Sequence, residues 1–283
     1  MSKVWFVTGS SRGLGRSFVE AALSRGDRVV ATARNPETLD QLVTDHADAV
    51  LPIGLDVSDR TAVFNAVAKA IEHFGRLDVV VNNAGYAQIG AIEELAEHEL
   101  RDQLETNLFG AVWVIQAALP HLRAQRSGHI VQLSSGAGLI AAPLGGAYHV
   151  SKWGVEALNE SLAQEVAEFG VKVTVIEPAG YATRDGENPD PLANGHMATT
   201  NPDYDGLRQR LAGAMTDQPA GDPAAAAQAL LKIVDSDDPP LRVLFGLGFH
   251  QMIKKVYADR LQNWTDWESL SLEAHTKLDQ EAV

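Results

Sequence analysis

The segment Thr8-Gly9-Ser10-Ser11-Arg12-Gly13-Leu14-Gly15 constrains this chain more than any other. It follows directly on an apolar run, Val4-Trp5-Phe6-Val7-Thr8, that reads as a buried strand. It leads into an amphipathic stretch, Leu14 to Arg25, that reads as a helix. Glycines between a strand and a helix let the backbone turn tightly, approach a pyrophosphate closely and pack the helix on the strand. The helix N-terminus adds free N–H groups and the positive end of the helix dipole. A glycine cluster alone is a common turn; the strand before and the helix after give this one its weight. No Gly-Lys-Ser/Thr closes it, so it is not a nucleotide-triphosphate loop. Gly9, Ser11, Arg12, Gly13, Leu14 and Gly15 are therefore candidate cofactor contacts.

The same alternation continues along the chain. Arg28–Ala33 and Val50–Asp56 read as strands, Pro36 as the start of a short helix, and Ser58 as the cap of a helix carrying Val63, Phe64, Val67, Ile71 and Phe74 at helical spacing. Val79–Asn82, Ile130–Ser134 and Lys172–Glu177 are further strands, with helices near 98–122 and 148–169 between them. Strands alternating with helices at this pitch predict α/β architecture: a doubly wound parallel sheet of Rossmann type, covered by helices on both faces. From Gly180 to Gly221 the pattern breaks into Asp-, Asn-, Pro- and Gly-rich chain, and we expect an irregular substrate lid near 181–220. A helix over Pro223–Val234, a strand over Arg242–Phe245 and a helical tail over 248–283 complete the reading. One domain spanning 1–283 is the expected organisation.

Bulk properties exclude several functions. Among 283 residues there is no cysteine, which removes disulfides and thiolate chemistry. His98-Glu99 lacks the second histidine of a zinc helix. A net charge of −14 argues against nucleic acid or an anionic membrane as partner. No secretory signal or membrane-length apolar run is evident, so a cytoplasmic protein is expected, and the sequon Asn263-Trp264-Thr265 carries no weight.

The end of the second strand reads Val30-Ala31-Thr32-Ala33-Arg34. In NAD enzymes an acid near this place holds the ribose 2′-hydroxyl. Here the acid is absent and Arg34 stands one place on. A guanidinium suits a 2′-phosphate, and Arg12 approaches it from the glycine turn. Each arginine alone reads equally well as a solvated side chain. Together they favour NADP(H) over NAD(H).

Tyr148 and Lys152 lie four apart on a helix and so share a face. A lysine ammonium one turn from a phenol stabilises the phenolate and makes tyrosine a usable acid or base. Such pairs are common on helix surfaces, so the companions matter. Ser135 stands thirteen residues earlier at a strand end, where ligands meet an open parallel sheet. Asn82-Asn83-Ala84-Gly85 closes another strand at the same edge, and Asn107 sits in the next helix.

With these motifs in this order, from residue 3 to about 183, the sequence resembles the short-chain dehydrogenase/reductases of the common single-domain kind. The resemblance implies that Tyr148 exchanges the proton and that Lys152 tunes it and holds the nicotinamide ribose. It further implies that Ser135 binds the substrate oxygen and that Asn107 anchors a proton-relaying water. Asp56 and Val57 would meet the adenine, and Asn83, Ala84 and Gly85 would line the cofactor channel. Glu177-Pro178-Ala179-Gly180-Tyr181-Ala182-Thr183 resembles the segment that positions the nicotinamide amide, which implicates Pro178, Gly180 and Thr183; Ala179 stands where the family usually has glycine. The family's habits imply a homodimer or homotetramer.

The expected reaction is interconversion of a carbonyl and an alcohol. Leu139, Ile140, Pro143, Leu144, Tyr181, Leu192 and Met197 suggest an apolar substrate. A non-catalytic NADP(H) sensor of the same fold is the alternative, but such a sensor has no need of all four catalytic positions. A serine hydrolase is disfavoured because no Gly-x-Ser-x-Gly elbow occurs. His149, beside Tyr148, points about 100° round the helix and reads as structural.

Overall fold

A computed structural model describes residues 2–181, 195–215 and 220–275. Its contacts group into two units, one running to Leu247 and the other starting at Gly248.

The first unit is built on seven parallel strands: β1 (Val4–Val7), β2 (Arg28–Ala33), β3 (Val50–Gly54), β4 (Val79–Asn82), β5 (Gly128–Leu133), β6 (Val171–Pro178) and β7 (Arg242–Phe245). They lie in the order β3-β2-β1-β4-β5-β6-β7. The chain builds outward from β1 in one direction, then crosses over to β4 and builds outward in the other. That reversal opens a crevice beyond the C-terminal ends of β1 and β4, the place where open α/β sheets bind ligands.

Alternation along each strand divides the core in two. Trp5 and Val7 join Val29, Ala31, Val81 and Val131 beneath α1 (Gly13–Ser24), α2 (Asp40–His46) and α8 (Pro223–Asp235). Val4 and Phe6 join Val30, Val80 and Ile130 beneath α3 (Arg60–Phe74), α5 (Gly110–Gln125) and α6 (Gly146–Val166). Both faces are covered, which is why these strands read as unbroken apolar runs. Trp5 and Phe6 are wholly buried, each such side chain stabilising the fold by about 1.5–3 kcal/mol. The Trp5 indole N–H also finds Asp27 Oδ2 at 2.8 Å.

Three local expectations are corrected. Asp59, not Ser58, caps α3, its Oδ1 accepting from Ala62 N at 3.0 Å. Ser58 instead donates through N and Oγ to Asp56 Oδ1, at 3.0 and 2.7 Å. The helix expected near 98–122 is α4 (Glu97–Leu104) joined to α5 by a π-helical turn over Glu105–Phe109. The described part of the 181–220 segment is not irregular: His196–Met197 pairs with Gln88–Ile89 and α7 covers Asp205–Met215. That part is tied to the sheet side by His196 N to Ala87 O and Ala198 N to Ile89 O, both 2.8 Å, and by an Arg208–Glu94 ion pair.

The second unit contains α9 (Phe249–Asp266) and α10 (Glu268–His275), with Trp264 and Trp267 largely exposed. Among the described residues no helix is long and apolar enough to cross a membrane.

Candidate active site

The turn after β1 is laced to the loop after β4. Thr8 Oγ1 accepts from Asn83 N at 2.9 Å and Ala84 N at 3.0 Å. Asn83 Nδ2 donates to Thr8 O at 2.9 Å and Gly9 O at 3.0 Å. Gly9 adopts φ +68°, where a side chain is strained, and a Cβ there would lie 3.0 Å from Ala84 Cα. A Cβ on Gly15 would stand 2.3 Å from both Asn83 Nδ2 and Gly9 O. Glycine is thus demanded at one position by backbone shape and at the other by close packing. The turn is drawn tight, and the open N-terminus of α1 faces the crevice.

That crevice has a volume of roughly 940 Å³. Gly9, Ser11, Arg12, Gly13, Leu14, Arg34, Asp56, Val57, Asn83, Ala84, Gly85, Ser135, Tyr148, Lys152 and Pro178 all line it. The remaining expected residues stand elsewhere. Gly15 is buried beneath the turn, against Asn83. Gly180 is exposed with no described residue near its Cβ position, and Ala179 and Tyr181 line the wall in its stead. Thr183 and Leu192 fall outside the described residues. Arg12 and Arg34 are exposed at one end. The Asp56 carboxylate is engaged by Ser58.

At the other end, Tyr148 and Lys152 rise from the first turns of α6, with the Lys152 Nζ 5.6 Å from the Tyr148 ring centre. Lys152 Nζ donates to Leu133 O, the last carbonyl of β5, at 2.9 Å. Burial pushes this ammonium down to about 8, with Glu156 opposing the shift. The Ser135 side chain favours the ionised form of the Tyr148 hydroxyl. Burial raises the phenol above its ordinary value and the Ser135 contact only partly offsets it. The expected lowering by Lys152 is therefore not the dominant influence here; desolvation is, and the phenol is held in its protonated, donor form.

Asn107 lies behind this group and does not line the crevice. Its Nδ2 donates to Tyr86 O at 2.9 Å and Ser151 Oγ at 3.0 Å, and its Oδ1 accepts from Tyr86 N at 3.1 Å. Ser151 Oγ in turn donates to Tyr148 O at 2.7 Å. The π turn places this buried amide between the strand-end loop and α6, so Asn107 holds the frame of the site together.

Several contributors leave no mark in the sequence. Gln103 is fully buried and clamps the same loop, donating to Tyr86 O at 2.8 Å and accepting from Gln88 N at 2.7 Å. Tyr86 and His196 pack at a tilt with ring centres 4.6 Å apart, and both line the crevice. His149 is structural, as expected, and it pins the loop that follows Ser135. Ala142 N donates to its Nε2 and its Nδ1 meets Ala137 O, each at 2.9 Å. Of the apolar residues expected in the pocket, Tyr181 lines it, whereas Leu139, Ile140 and Leu144 are buried in packing and Met197 is exposed.

Comparison with known proteins agrees with this geometry. A family profile described as short chain dehydrogenase matches residues 3–189. An oxidoreductase of Botryotinia fuckeliana, BOA17, is 42% identical over 276 residues, covering 96% of this chain and 99% of the relative. A 3-ketodihydrosphingosine reductase of Bacteroides thetaiotaomicron is 32% identical, covering 86% and 88%. The crystal structure of a short-chain dehydrogenase from Streptomyces avermitilis superposes with a TM-score of 0.87 at 37% identity, covering 98% of this chain and 99% of the other. A metagenomic short-chain oxidoreductase solved in complex with NADP gives 0.69 at 26%, covering 87% and 97%. A profile that spans well over half the sequence and a fungal relative aligned almost end to end place the chain in the short-chain dehydrogenase/reductase family of oxidoreductases.

Proposed function

We propose that this enzyme uses NADP(H) to interconvert a ketone or aldehyde and its alcohol, with Tyr148 as the general acid or base. The observation that carries the reading is one crevice with a glycine-lined, arginine-flanked mouth at one end and the Ser135–Tyr148–Lys152 group at the other. The cofactor fits these residues: Gly9 and Gly15 leave no room for a side chain where the turn is tightest, and the two exposed guanidiniums suit a 2′-phosphate. A metagenomic relative that binds NADP supports the same choice. Arg12 and Arg34 would hold the 2′-phosphate, the α1 N-terminus the pyrophosphate, and Lys152 the nicotinamide ribose.

When bound, the reduced nicotinamide supplies the hydride. The protein itself acts on the oxygen of the carbonyl. Ser135 Oγ and the Tyr148 hydroxyl offer two donors to that oxygen as negative charge builds on it. The Tyr148 proton moves to the oxygen, so that hydride and proton together make the alcohol. Lys152 stabilises the phenolate left behind, and Leu133 O keeps the ammonium in place. In the reverse direction the phenolate takes the proton back.

The crevice lining also includes Tyr86, Tyr181 and His196. An aromatic rim of this kind suits a carbonyl carried on an apolar or aromatic body better than a sugar or polyol. The catalysis is tested by NADPH oxidation against a panel of cyclic, aromatic and aliphatic ketones run beside sugars. Higher kcat/KM on the sugars would remove the apolar assignment, and no turnover of any carbonyl would remove the reaction. Leu100, Phe109, Val150 and Trp153 are exposed on α4, the π turn and α6; we assign this face to a homodimer or homotetramer, which a sizing measurement decides.

A further inference from the structure

Behind Lys152 lies a group of charges that the reaction above does not use. Lys152, Glu156 and Glu160 stand on successive turns of α6. Glu177 comes from the end of β6 and Arg242 from the start of β7. Glu156 and Glu177 are 5% and 3% exposed, well within the range where an isolated carboxylate is expensive. Arg242 serves all three acids: Nε lies 3.1 Å from Glu156 Oε2 and 3.8 Å from Glu177 Oε1, and Nη2 lies 2.6 Å from Glu160 Oε2. Glu177 Oε1 accepts no hydrogen bond among the described residues. Ser134 Oγ and Glu156 Oε1 both crowd the space a Cβ on Gly138 would need, at 2.5 and 3.2 Å.

The charges in this arrangement do not balance. Among the described residues, the charged groups that face one another here are Lys152, Glu156 and Glu160 from α6, Glu177 from β6 and Arg242 from β7. Three acids meet two cations, and Glu160 is half in solvent. Two buried carboxylates on one guanidinium repel each other, and a proton held between them removes the repulsion.

We propose that Glu156 and Glu177 share one proton at neutral pH and that Glu156 is a positioning residue for the catalytic pair, its negative charge keeping the Lys152 ammonium protonated during turnover. The importance of Lys152 here rests on the reaction proposed above; the shared proton does not. The proton affinities of the two acids agree with the geometry. Burial pushes Glu177 up to about 7, with Glu156 adding to the rise, and burial raises Glu156 against the pull of Ser134, Arg242 and Lys152.

The test is a pH titration of the free protein by ¹³C NMR, observing the lysine Cε and glutamate carboxyl carbons, with Lys152→Arg used to assign the lysine signal. In Glu156→Gln the Lys152 midpoint should fall by about one pH unit, the size expected for loss of one partly screened charge. The Glu177 carboxyl should also titrate at lower pH, because its like-charged neighbour is gone. Glu156→Asp retains the charge and should restore most of the Lys152 midpoint, which a purely structural role would not explain. Glu177→Gln removes only the like charge, so the Glu156 carboxyl should move to lower pH. An unmoved Lys152 in Glu156→Gln overturns the positioning role. An unmoved Glu156 carboxyl in Glu177→Gln overturns the shared proton, even should the Glu156 variant fail to fold. Neither readout involves substrate, so absence of carbonyl turnover in the wild type would end the proposed reaction and leave this result standing.

Discussion

Gly15 and Gly180, both expected from the sequence to meet the cofactor, should respond very differently to the same change. In Gly15→Ala the new methyl would stand 2.3 Å from Gly9 O and 2.3 Å from Asn83 Nδ2. The first contact is with backbone that the β4 loop holds in place, so the turn cannot simply open. Overpacking of this kind costs about 1–3 kcal/mol. Displacing the Asn83 amide also removes a bond to Thr8 O or Gly9 O, about 0.5–1.5 kcal/mol each. A total of about 1.5–4.5 kcal/mol lowers Tm by roughly 4–15 °C in a chain of this size. Because the distorted segment is the proposed pyrophosphate cradle, NADPH affinity should drop at least about tenfold, equivalent to about 1.4 kcal/mol. In Gly180→Ala, at an exposed site with no described residue within 4 Å of the added carbon and no positive φ, Tm should stay within about 1 °C. Scanning calorimetry and a fluorescence titration with NADPH measure both quantities. If Gly15→Ala melts with the parent and binds NADPH equally well, the tight lacing of the turn to Asn83 is not what shapes the cofactor site.

Other named contacts make equally definite demands. Arg34→Ala should weaken NADPH by about ten- to a hundredfold in KM, the value of a charge-assisted contact of about 1.5–3 kcal/mol, and leave NADH nearly unchanged; equal losses would show that Arg34 does not read the 2′-phosphate. His149→Phe deletes both bonds that pin residues 137–142, so KM for the carbonyl should rise about tenfold with kcat falling less; an unchanged KM would mean the loop is held by other means. His129 is buried beside Thr174, and burial lowers it to about 4. The unfolded chain takes up that proton near its ordinary value and the folded chain does not, so this contribution to stability is complete above about pH 6.5 and is lost as pH falls towards 4, up to about 3 kcal/mol. Urea unfolding at several pH values should show a shallower acid loss in His129→Gln than in the parent, and parallel curves would contradict the assignment.

How much of this was legible in the sequence depended on how local the signal was. Strands β1, β2 and β4 lie at the centre of the sheet with both faces covered, so Val4–Val7, Arg28–Ala33 and Val79–Asn82 stood out as short apolar runs. Tyr148 and Lys152 were legible for a related reason: one helix carries both, four residues apart. Ser58 and Asp59 are both good capping residues, and the choice between them was made by Asp56, which engages Ser58 first. The π turn left no trace because Asn107 keeps its place in an amphipathic pattern that one extra residue scarcely disturbs. Leu207 and Leu211 do carry the four-residue spacing of α7, with Tyr204 just before it, but the Asp-, Asn- and Pro-rich surroundings obscured it. The Glu156–Glu177–Arg242 group was out of reach altogether. Its members come from one helix and two strands, with Glu156 and Arg242 86 positions apart, and only the folded sheet edge brings them together.

The proposed reaction turns on the Tyr148 hydroxyl, set beside Ser135 and backed by Lys152, transferring the proton that accompanies hydride transfer. Tyr148→Phe removes that one oxygen and nothing else. Single-turnover oxidation of bound NADPH by a ketone substrate, followed through the nicotinamide absorbance, measures the step directly, and a binding titration of the same variant controls for the cofactor site. NADPH affinity should stay within about threefold of the parent, and the rate should fall by about 10²–10⁴-fold. A phenylalanine variant that kept a third or more of the parent rate would show that the proton comes from elsewhere.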